Sequence, residues 1–247
     1  MMMQDQLRKL RIAIQFLTSL PTHLTKPPQP KELGQAAVWF PLVGLLIGGL
    51  VCGVGWVLQF IFSPLVVAVT MTALWAALTG GLHLDGLADC FDALFLAATP
   101  QRRLEILRDP HLGTFGAVGL ILHLLLKTSF LVSLMPLPSM ALLLSPMLAR
   151  WLLLLAARQR QARLQGLGAD FALGLSQGTI WIASLLPLAL IAISGLRAIL
   201  AAGLAFLVLV GVIWLARVRL GGVTGDVLGM SVELTELAVL LGFVIHF

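Results

Sequence analysis

Long apolar stretches alternate with short charged loops along most of the chain. Each stretch reaches or approaches the roughly 20 apolar residues that a helix needs to cross a bilayer. The stretches cover residues 39–62, 64–82, 113–135, 140–157, 179–195 and 198–215, with a shorter seventh at 232–247. The pattern predicts an all-α fold, a polytopic transmembrane helix bundle of about six to seven spans.

The N-terminal residues follow a different pattern, in which basic positions alternate with apolar ones such as Leu10 and Ile14. Pro21 ends this stretch, and no small-residue cleavage site follows, so a secretory signal is not indicated. We expect residues 1–32 to form an amphipathic cytoplasmic segment, either on the membrane surface or against the core. Residues 33–247 then form the transmembrane domain that carries the candidate site.

Composition supports a membrane protein and excludes a soluble one. The chain of 247 residues is 59% hydrophobic and only 11% charged, and its mean hydropathy is +1.01. A soluble domain carries about 25% charged residues to cover its surface. The net charge of +5 would suggest nucleic acid in a soluble protein, but membrane topology explains it here, and no nucleic-acid partner is expected.

The basic residues are distributed unequally between the two sides of the predicted spans. Arg197 lies alone on one side, and Lys127 and Arg150 fall within spans. The other thirteen share the opposite side: Arg8, Lys9, Arg11, Lys26, Lys31, Arg102, Arg103, Arg108, Arg158, Arg160, Arg163, Arg217 and Arg219. The positive-inside rule places that side, and the N-terminus with it, in the cytoplasm.

Candidate chemistry begins at the end of the second span, where residues 80–94 read GGLHLDGLADCFDAL. If this stretch is helical, Asp85, Asp89 and Asp92 share one face, with neighbours about 5–6 Å apart. Like charges at that spacing repel strongly near a membrane, so they need arginine partners or a bound cation. Carboxylate oxygens suit a hard divalent ion, which is the favoured interpretation. An acidic helix end paired with nearby arginines is the alternative.

Two glycine-rich stretches follow. Residues 108–116, RDPHLGTFG, form a turn into the third span, whose backbone N–H groups could receive a phosphate oxygen. A simple helix start is the stronger explanation on sequence grounds. Residues 221–229, GGVTGDVLG, place Thr224 and Asp226 in flexible backbone, and Glu233 follows on the same helix face. A hinge with a helix cap explains this second stretch equally well.

Several histidines and intramembrane cations are weaker candidates. His83 and His111 flank the acidic cluster and are candidate proton acceptors or phosphate contacts. Arg150 must find an anion or extend to the membrane edge, and Lys127 could pair with a carboxylate. Two histidines in apolar spans are expected to be hydrogen-bonded packing residues: His123 and His246.

Taken together, three passages resemble the cobalamin synthase family, the adenosylcobinamide-GDP ribazoletransferases. They read GGLHLDGLADCFDAL, RDPHLGTFG and LGGVTGDVLGMSVELTE, and they occur in the family's order from Gly80 to Glu236. Cys90 stands where the family often has a small or hydroxyl residue, and Ala93 where it commonly has glycine. Neither difference removes a carboxylate.

The resemblance implies a magnesium-dependent transferase of the cytoplasmic (inner) membrane, with its active site on the cytoplasmic side. Such an enzyme joins adenosylcobinamide-GDP to α-ribazole or α-ribazole 5′-phosphate and releases GMP. The expected partners are these substrates and the lipid bilayer. Whether the chain forms a homo-oligomer is left open.

The resemblance also suggests roles for individual residues. The carboxylates that would hold magnesium and serve catalysis are Asp85, Asp89, Asp92 and Asp226, with His83 as a further catalytic candidate. The substrate-binding candidates are Arg102, Arg103, Arg108, Asp109, His111, Gly113, Gly116, Thr224 and Glu233.

Two other functions are considered. A CDP-alcohol phosphotransferase has a DxxDGxxAR pattern that overlaps DGLAD in part, but the upstream aspartate is missing and no arginine follows where the pattern requires one. A cation-coupled transporter would carry acidic residues deep in several spans, whereas nearly all of them here lie at one side. Both alternatives therefore rank below the transferase.

Overall fold

A computed structural model describes residues 2–24, 27–163 and 165–245. Lys26, assigned to the basic cytoplasmic side, and His246, expected to be a packing residue, lie outside these ranges. Over the described residues the chain forms twelve α-helices, a short 3-10 turn at Ala37–Trp39 and no extended strand. The helices are α1 Met2–Leu17, α2 Pro30–Ala36, α3 Phe40–Leu58, α4 Pro64–Leu78, α5 Leu82–Leu94, α6 Pro100–Ile106, α7 Thr114–Ser133, α8 Met140–Ala157, α9 Leu167–Gly174, α10 Gln177–Ile193, α11 Leu196–Leu220 and α12 Gly225–Val244.

Five segments within the described ranges are long and apolar enough to span a membrane on their own. They are Lys31–Leu58, which combines α2 and α3, and the helices α7, α8, α11 and α12. The pairs α4–α5 and α9–α10 are each bent by 93°, and counting each pair as one span gives seven. The prediction of an all-α polytopic bundle is confirmed.

The bend between α4 and α5 separates the acidic stretch from the apolar run before it. Gly80 and Gly81 adopt φ values of +60° and +72°, a left-handed conformation that residues with side chains rarely adopt. The predicted span 64–82 therefore ends early, at Leu78, and the acidic stretch forms a helix of its own.

The helices α8 and α12 form the centre of the bundle. In each of them 78% of the most apolar stretch is buried, against 28% in α7 and α11. The outer helices α10 and α11 expose large apolar side chains, including Trp181, Leu185, Leu207 and Trp214. An apolar exterior around a packed centre is the arrangement expected where lipid, not water, covers the surface.

The N-terminal helix α1 packs against this bundle. Its side chains Ile12, Ala13 and Leu17 are buried in the main core. The ring of Phe16 stacks on Phe40 with centroids 5.8 Å apart. Of the two placements left open by the sequence, the structure shows packing against the core. The domain boundary after residue 32 stays a prediction.

Candidate active site

The site is built where α5 and α12 cross. Gly86 of α5 lies against the backbone of α12, and a Cβ atom there would be 2.8 Å from the carbonyl oxygen of Asp226. Only a residue without a side chain permits this approach. The crossing brings Asp85 and Asp226 to the wall of one cavity of about 290 Å³, which is also lined by Gln161, Arg163 and residues 165–169.

Asp226 is held at the start of α12 by its neighbours. Thr224 Oγ1 donates to Asp226 Oδ2 at 3.1 Å and accepts the Val227 N–H at 3.3 Å, so Thr224 both caps the helix and orients the carboxylate. Arg163 Nη1 lies 3.9 Å from the same Oδ2. Burial lowers the pKa of Arg163, and the charge of Asp226 opposes that shift. Because arginine stays protonated in proteins, Arg163 is a fixed positive charge beside Asp226.

The helix α5 presents its carboxylates as the spacing predicted. Asp89 lies one turn beyond Asp85 and is close enough to Asp85, Asp92 and Asp226 for direct charge repulsion. Within the described ranges, Arg163 is the only lysine or arginine within 4.0 Å of any of these carboxylates. The group therefore carries a local excess of negative charge, which favours the binding of a cation.

The arginines in and after α6 do not pair with these carboxylates. Arg102 forms an exposed ion pair with Glu105 at 2.8 Å, and the buried Arg103 donates to the Leu96 carbonyl at 2.9 Å. Arg108 is exposed. The alternative of an acidic helix end neutralised by these arginines is therefore not what the structure shows.

Asp92 contacts the start of α7. Its Oδ2 accepts the Gly113 N–H at 2.7 Å, and its Oδ1 accepts the Gly116 N–H at 2.8 Å. From the sequence, these backbone N–H groups were candidates to bind a phosphate oxygen. In the structure the carboxylate of Asp92 accepts hydrogen bonds from both of them. Asp92 therefore ties α5 to α7.

The two remaining polar residues of that loop bind each other at the surface. His111 Nδ1 lies 2.5 Å from Asp109 Oδ1, and the His111 N–H donates to the same oxygen at 3.1 Å. These hydrogen bonds lower the pKa of the Asp109 carboxyl. Neither residue lines the cavity at the crossing of α5 and α12.

Glu233 lies in a buried ionic network rather than beside the cavity. His123 Nε2 is 2.7 Å from Glu233 Oε2, and Lys127 Nζ bridges Glu233 Oε2 at 3.0 Å and Glu236 Oε2 at 2.5 Å. Arg150 binds the other oxygen of Glu236. The expectation that Lys127 pairs with a carboxylate is met, and Arg150 finds its anion inside the bundle.

His83 lies between the cavity and this network. It lines the cavity, is 3% exposed, and lies within range of the charges of Lys127, Arg150 and Glu233. Its Nδ1 atom is buried without a hydrogen-bond partner among the described residues. Of the predicted site residues, the cavity thus brings together His83, Asp85, Thr224 and Asp226.

The carboxylates fit a magnesium ion whose ligands come partly from the protein and partly from water and substrate. Among the described residues no three His, Cys, Asp or Glu side chains converge closely enough to hold an ion alone. Magnesium is usually held by one or two carboxylates, with waters and substrate phosphates completing its shell. Asp85 and Asp226 on one cavity wall, with Asp89 beside them, provide such a partial set.

The cavity residues that the sequence did not predict include Phe16, Arg163 and Phe171. Phe16 lies on the N-terminal helix and Phe171 on the short α9, and their rings stack at 6.5 Å. Arg163 was counted only as a basic loop residue. No local pattern marks any of the three, because each reaches the cavity through contacts between distant parts of the chain.

Fold and site define a class: polytopic α-helical membrane proteins with a carboxylate-lined cavity at the crossing of two helices. More narrowly, this chain belongs to the cobalamin-5-phosphate synthase family, whose profile matches residues 9–244.

Three similar proteins all bear the name adenosylcobinamide-GDP ribazoletransferase. The one from Desulfitobacterium hafniense is 39% identical and covers 96% of each chain. The one from Stutzerimonas stutzeri is 43% identical, over 96% of this chain and 98% of its own. The one from Pseudomonas aeruginosa PAO1 is 41% identical, over 97% and 98%. No solved structure matches this chain.

Proposed function

We propose that this protein is an adenosylcobinamide-GDP ribazoletransferase. It transfers the adenosylcobinamide phosphate group of adenosylcobinamide-GDP to α-ribazole or its 5′-phosphate and releases GMP. Membership of the family and the names of full-length relatives support this function. The structural observation that carries it is the placement of Asp85 and Asp226 on one cavity, next to Asp89. Because the chain belongs to this family, we do not propose either of the two alternatives, a CDP-alcohol phosphotransferase or a transporter.

The reaction is a displacement at phosphorus. A ribose hydroxyl oxygen of α-ribazole forms a bond to the corrinoid-linked phosphorus, and the bond from that phosphorus to the bridging oxygen of GMP breaks. GMP leaves with the electron pair, and the hydroxyl proton passes to a carboxylate. Asp85 and Asp226 stand on the cavity wall where they can orient the hydroxyl and accept this proton. Arg163 offers a positive charge to the diphosphate.

Magnesium is the proposed cofactor. Asp85, Asp89 and Asp226 would hold it, and when bound it supplies positive charge that neutralises the diphosphate and the departing GMP. Asp92 was grouped with these residues on sequence grounds, but both of its carboxylate oxygens accept backbone N–H groups at the start of α7. We therefore assign three carboxylates to the metal site instead of four.

The proposed location is the inner membrane, with the N-terminus and the active site on the cytoplasmic side. Thirteen of the sixteen basic residues fall on the side of the spans that bears the candidate site. The positive-inside rule assigns that side to the cytoplasm.

A product assay on the purified full-length chain in lipid nanodiscs tests the function. With adenosylcobinamide-GDP, α-ribazole and magnesium, we expect equimolar GMP and adenosylcobalamin, identified by liquid chromatography with mass spectrometry. Omitting α-ribazole should abolish GMP release, and a chelator should abolish it until magnesium is restored. Absence of both products from the complete mixture would contradict the function, and undiminished turnover in the chelator would contradict only the metal.

A further inference from the structure

We propose that the cavity beside Asp85 and Asp226 is the binding site of the nucleoside acceptor, α-ribazole, and that the corrinoid stays outside it. The inference rests on the proposed function and assigns the smaller of the two substrates to a specific place. Three properties of the cavity carry it: its size, its apolar wall and its unpaired polar atoms.

The size of the cavity suits one nucleoside. Its volume of about 290 Å³ lies at the lower end of the roughly 300–1,000 Å³ found for pockets that bind drug-sized ligands. A corrin macrocycle with its side chains is several times larger than a benzimidazole nucleoside and cannot enter. The corrinoid must therefore stay outside the cavity, with its diphosphate reaching Asp85, which is exposed and lines the cavity.

Part of the cavity wall is apolar and aromatic. It is lined by Phe16, Leu153, Ala169, Phe171 and Leu228. The rings of Phe16 and Phe171 stack on each other with centroids 6.5 Å apart. Flat aromatic side chains of this kind contact the face or edge of a planar base favourably.

This wall distinguishes between the two bases present in the substrates. The dimethylbenzimidazole of α-ribazole has an apolar edge and no exocyclic polar group. Guanine, the base of the GDP moiety, carries an amide and an amino group that would lose their hydrogen bonds to water against aliphatic side chains. The cavity therefore favours the acceptor base over the base of the leaving nucleotide.

The polar residues that line the cavity match a ribose. His83 Nδ1 and Arg163 Nε are buried without hydrogen-bond partners among the described residues, and both residues line the cavity. Buried polar groups are normally paired, so these atoms point to a ligand with hydroxyl groups. With its base on the aromatic wall, the nucleoside places its ribose toward these atoms and toward Asp85 and Asp226.

The test fills the cavity from α9 with Ala169→Leu. Its matched control is Ala172→Leu, the same change on the same helix at a partly exposed residue that does not line the cavity. For Ala169→Leu we expect the KM for α-ribazole to rise about tenfold or more, as for one misplaced methylene in an apolar pocket. The KM for adenosylcobinamide-GDP should stay within about twofold of wild type, as should both KM values of the control.

Equilibrium dialysis of labelled α-ribazole, without the corrinoid, provides a readout that does not depend on turnover. Ala169→Leu should weaken binding and Ala172→Leu should not. Phe16→Leu changes the same apolar wall from a different helix, α1, and repeats the test if Ala169→Leu does not fold. Unchanged α-ribazole binding in the cavity variants, or a rise in KM confined to adenosylcobinamide-GDP, would overturn the assignment. If wild type binds α-ribazole in this cavity but releases no GMP, the proposed function fails and the binding site stands.

Discussion

Two aspartates of the site, Asp92 and Asp226, differ in what their carboxylate oxygens contact. Both oxygens of Asp92 accept backbone N–H groups of α7. Asp226 is half-buried on the cavity wall and uses one oxygen, Oδ2, toward Thr224 and Arg163. Asp92 thus stabilises the start of a helix, whereas Asp226 stays available to a ligand.

The first prediction concerns Asp92→Asn. The amide keeps one acceptor oxygen but loses the second acceptor and the charge that favours a helix N-terminus, so we expect a loss of about 1–3 kcal/mol in the free energy of unfolding. Thermal unfolding of the purified variant measures this loss, and GMP release at a temperature where the variant is folded should persist. An unchanged unfolding temperature with no GMP release would instead make Asp92 a direct participant in the reaction.

At the scale of elements, α12 joins the site to the interior of the bundle. Its first turn carries Asp226, and two turns and more further along it carries Glu233 and Glu236, which bind Lys127 of α7 and Arg150 of α8. Lys127 Nζ also lies 4.4 Å from the centroid of a Trp75 ring in α4. Two carboxylates and two cations thus balance each other inside the membrane domain and fix α12 relative to its neighbours.

The second prediction concerns Glu236→Gln, which removes the anion that faces both Lys127 and Arg150. Breaking a buried ion pair leaves an uncompensated charge, so we expect the free energy of unfolding to fall by about 3–5 kcal/mol. The control is Glu105→Gln, an exposed acid paired with Arg102, which should change it by less than about 1 kcal/mol. Denaturant titration of both variants measures the difference, and equal stability of Glu236→Gln and wild type would contradict a structural role for the network.

The sequence predicted individual elements better than their arrangement. The stretch 140–157 coincides with α8, because length and apolar composition are local properties. The direction of α5 did not follow from hydropathy, since the bend depends on the conformation of Gly80 and Gly81. Lys127 and Glu233 are 106 positions apart in the sequence. Such a pair depends on how whole helices pack against each other, so residue spacing alone does not predict it. The clustering of Asp85 and Asp89 was predictable because a single helix carries both residues.

At the scale of the whole molecule, the chain combines an apolar exterior with charged loops gathered mainly on one side. The exposed side chains of α10 and α11 are largely apolar, whereas basic residues gather in and after α6, in the loop after α8 and in the last turn of α11. Under the positive-inside rule, this distribution supports the proposed orientation, with the basic side in the cytoplasm.

The third prediction is the orientation itself. Single cysteines at Arg102 and Arg158 should react with a membrane-impermeant maleimide only in inverted vesicles, and one at Arg197 only in intact cells. The natural Cys52 and Cys90 are free but buried, so wild type should give little labelling. Labelling at Arg197 in inverted vesicles alone would reverse the proposed topology.

The most direct measurement is the initial rate of GMP release by Asp85→Asn and Asp226→Asn, with both substrates and magnesium saturating and with folding checked by thermal unfolding. Each exchange keeps the shape of the side chain but removes the charge and the proton acceptor, so we predict a fall of roughly 100-fold or more. Asp5→Asn, at an exposed acid of α1 paired with Lys9, should match wild type. Near-wild-type rates in both folded cavity variants would contradict a site built on these two carboxylates.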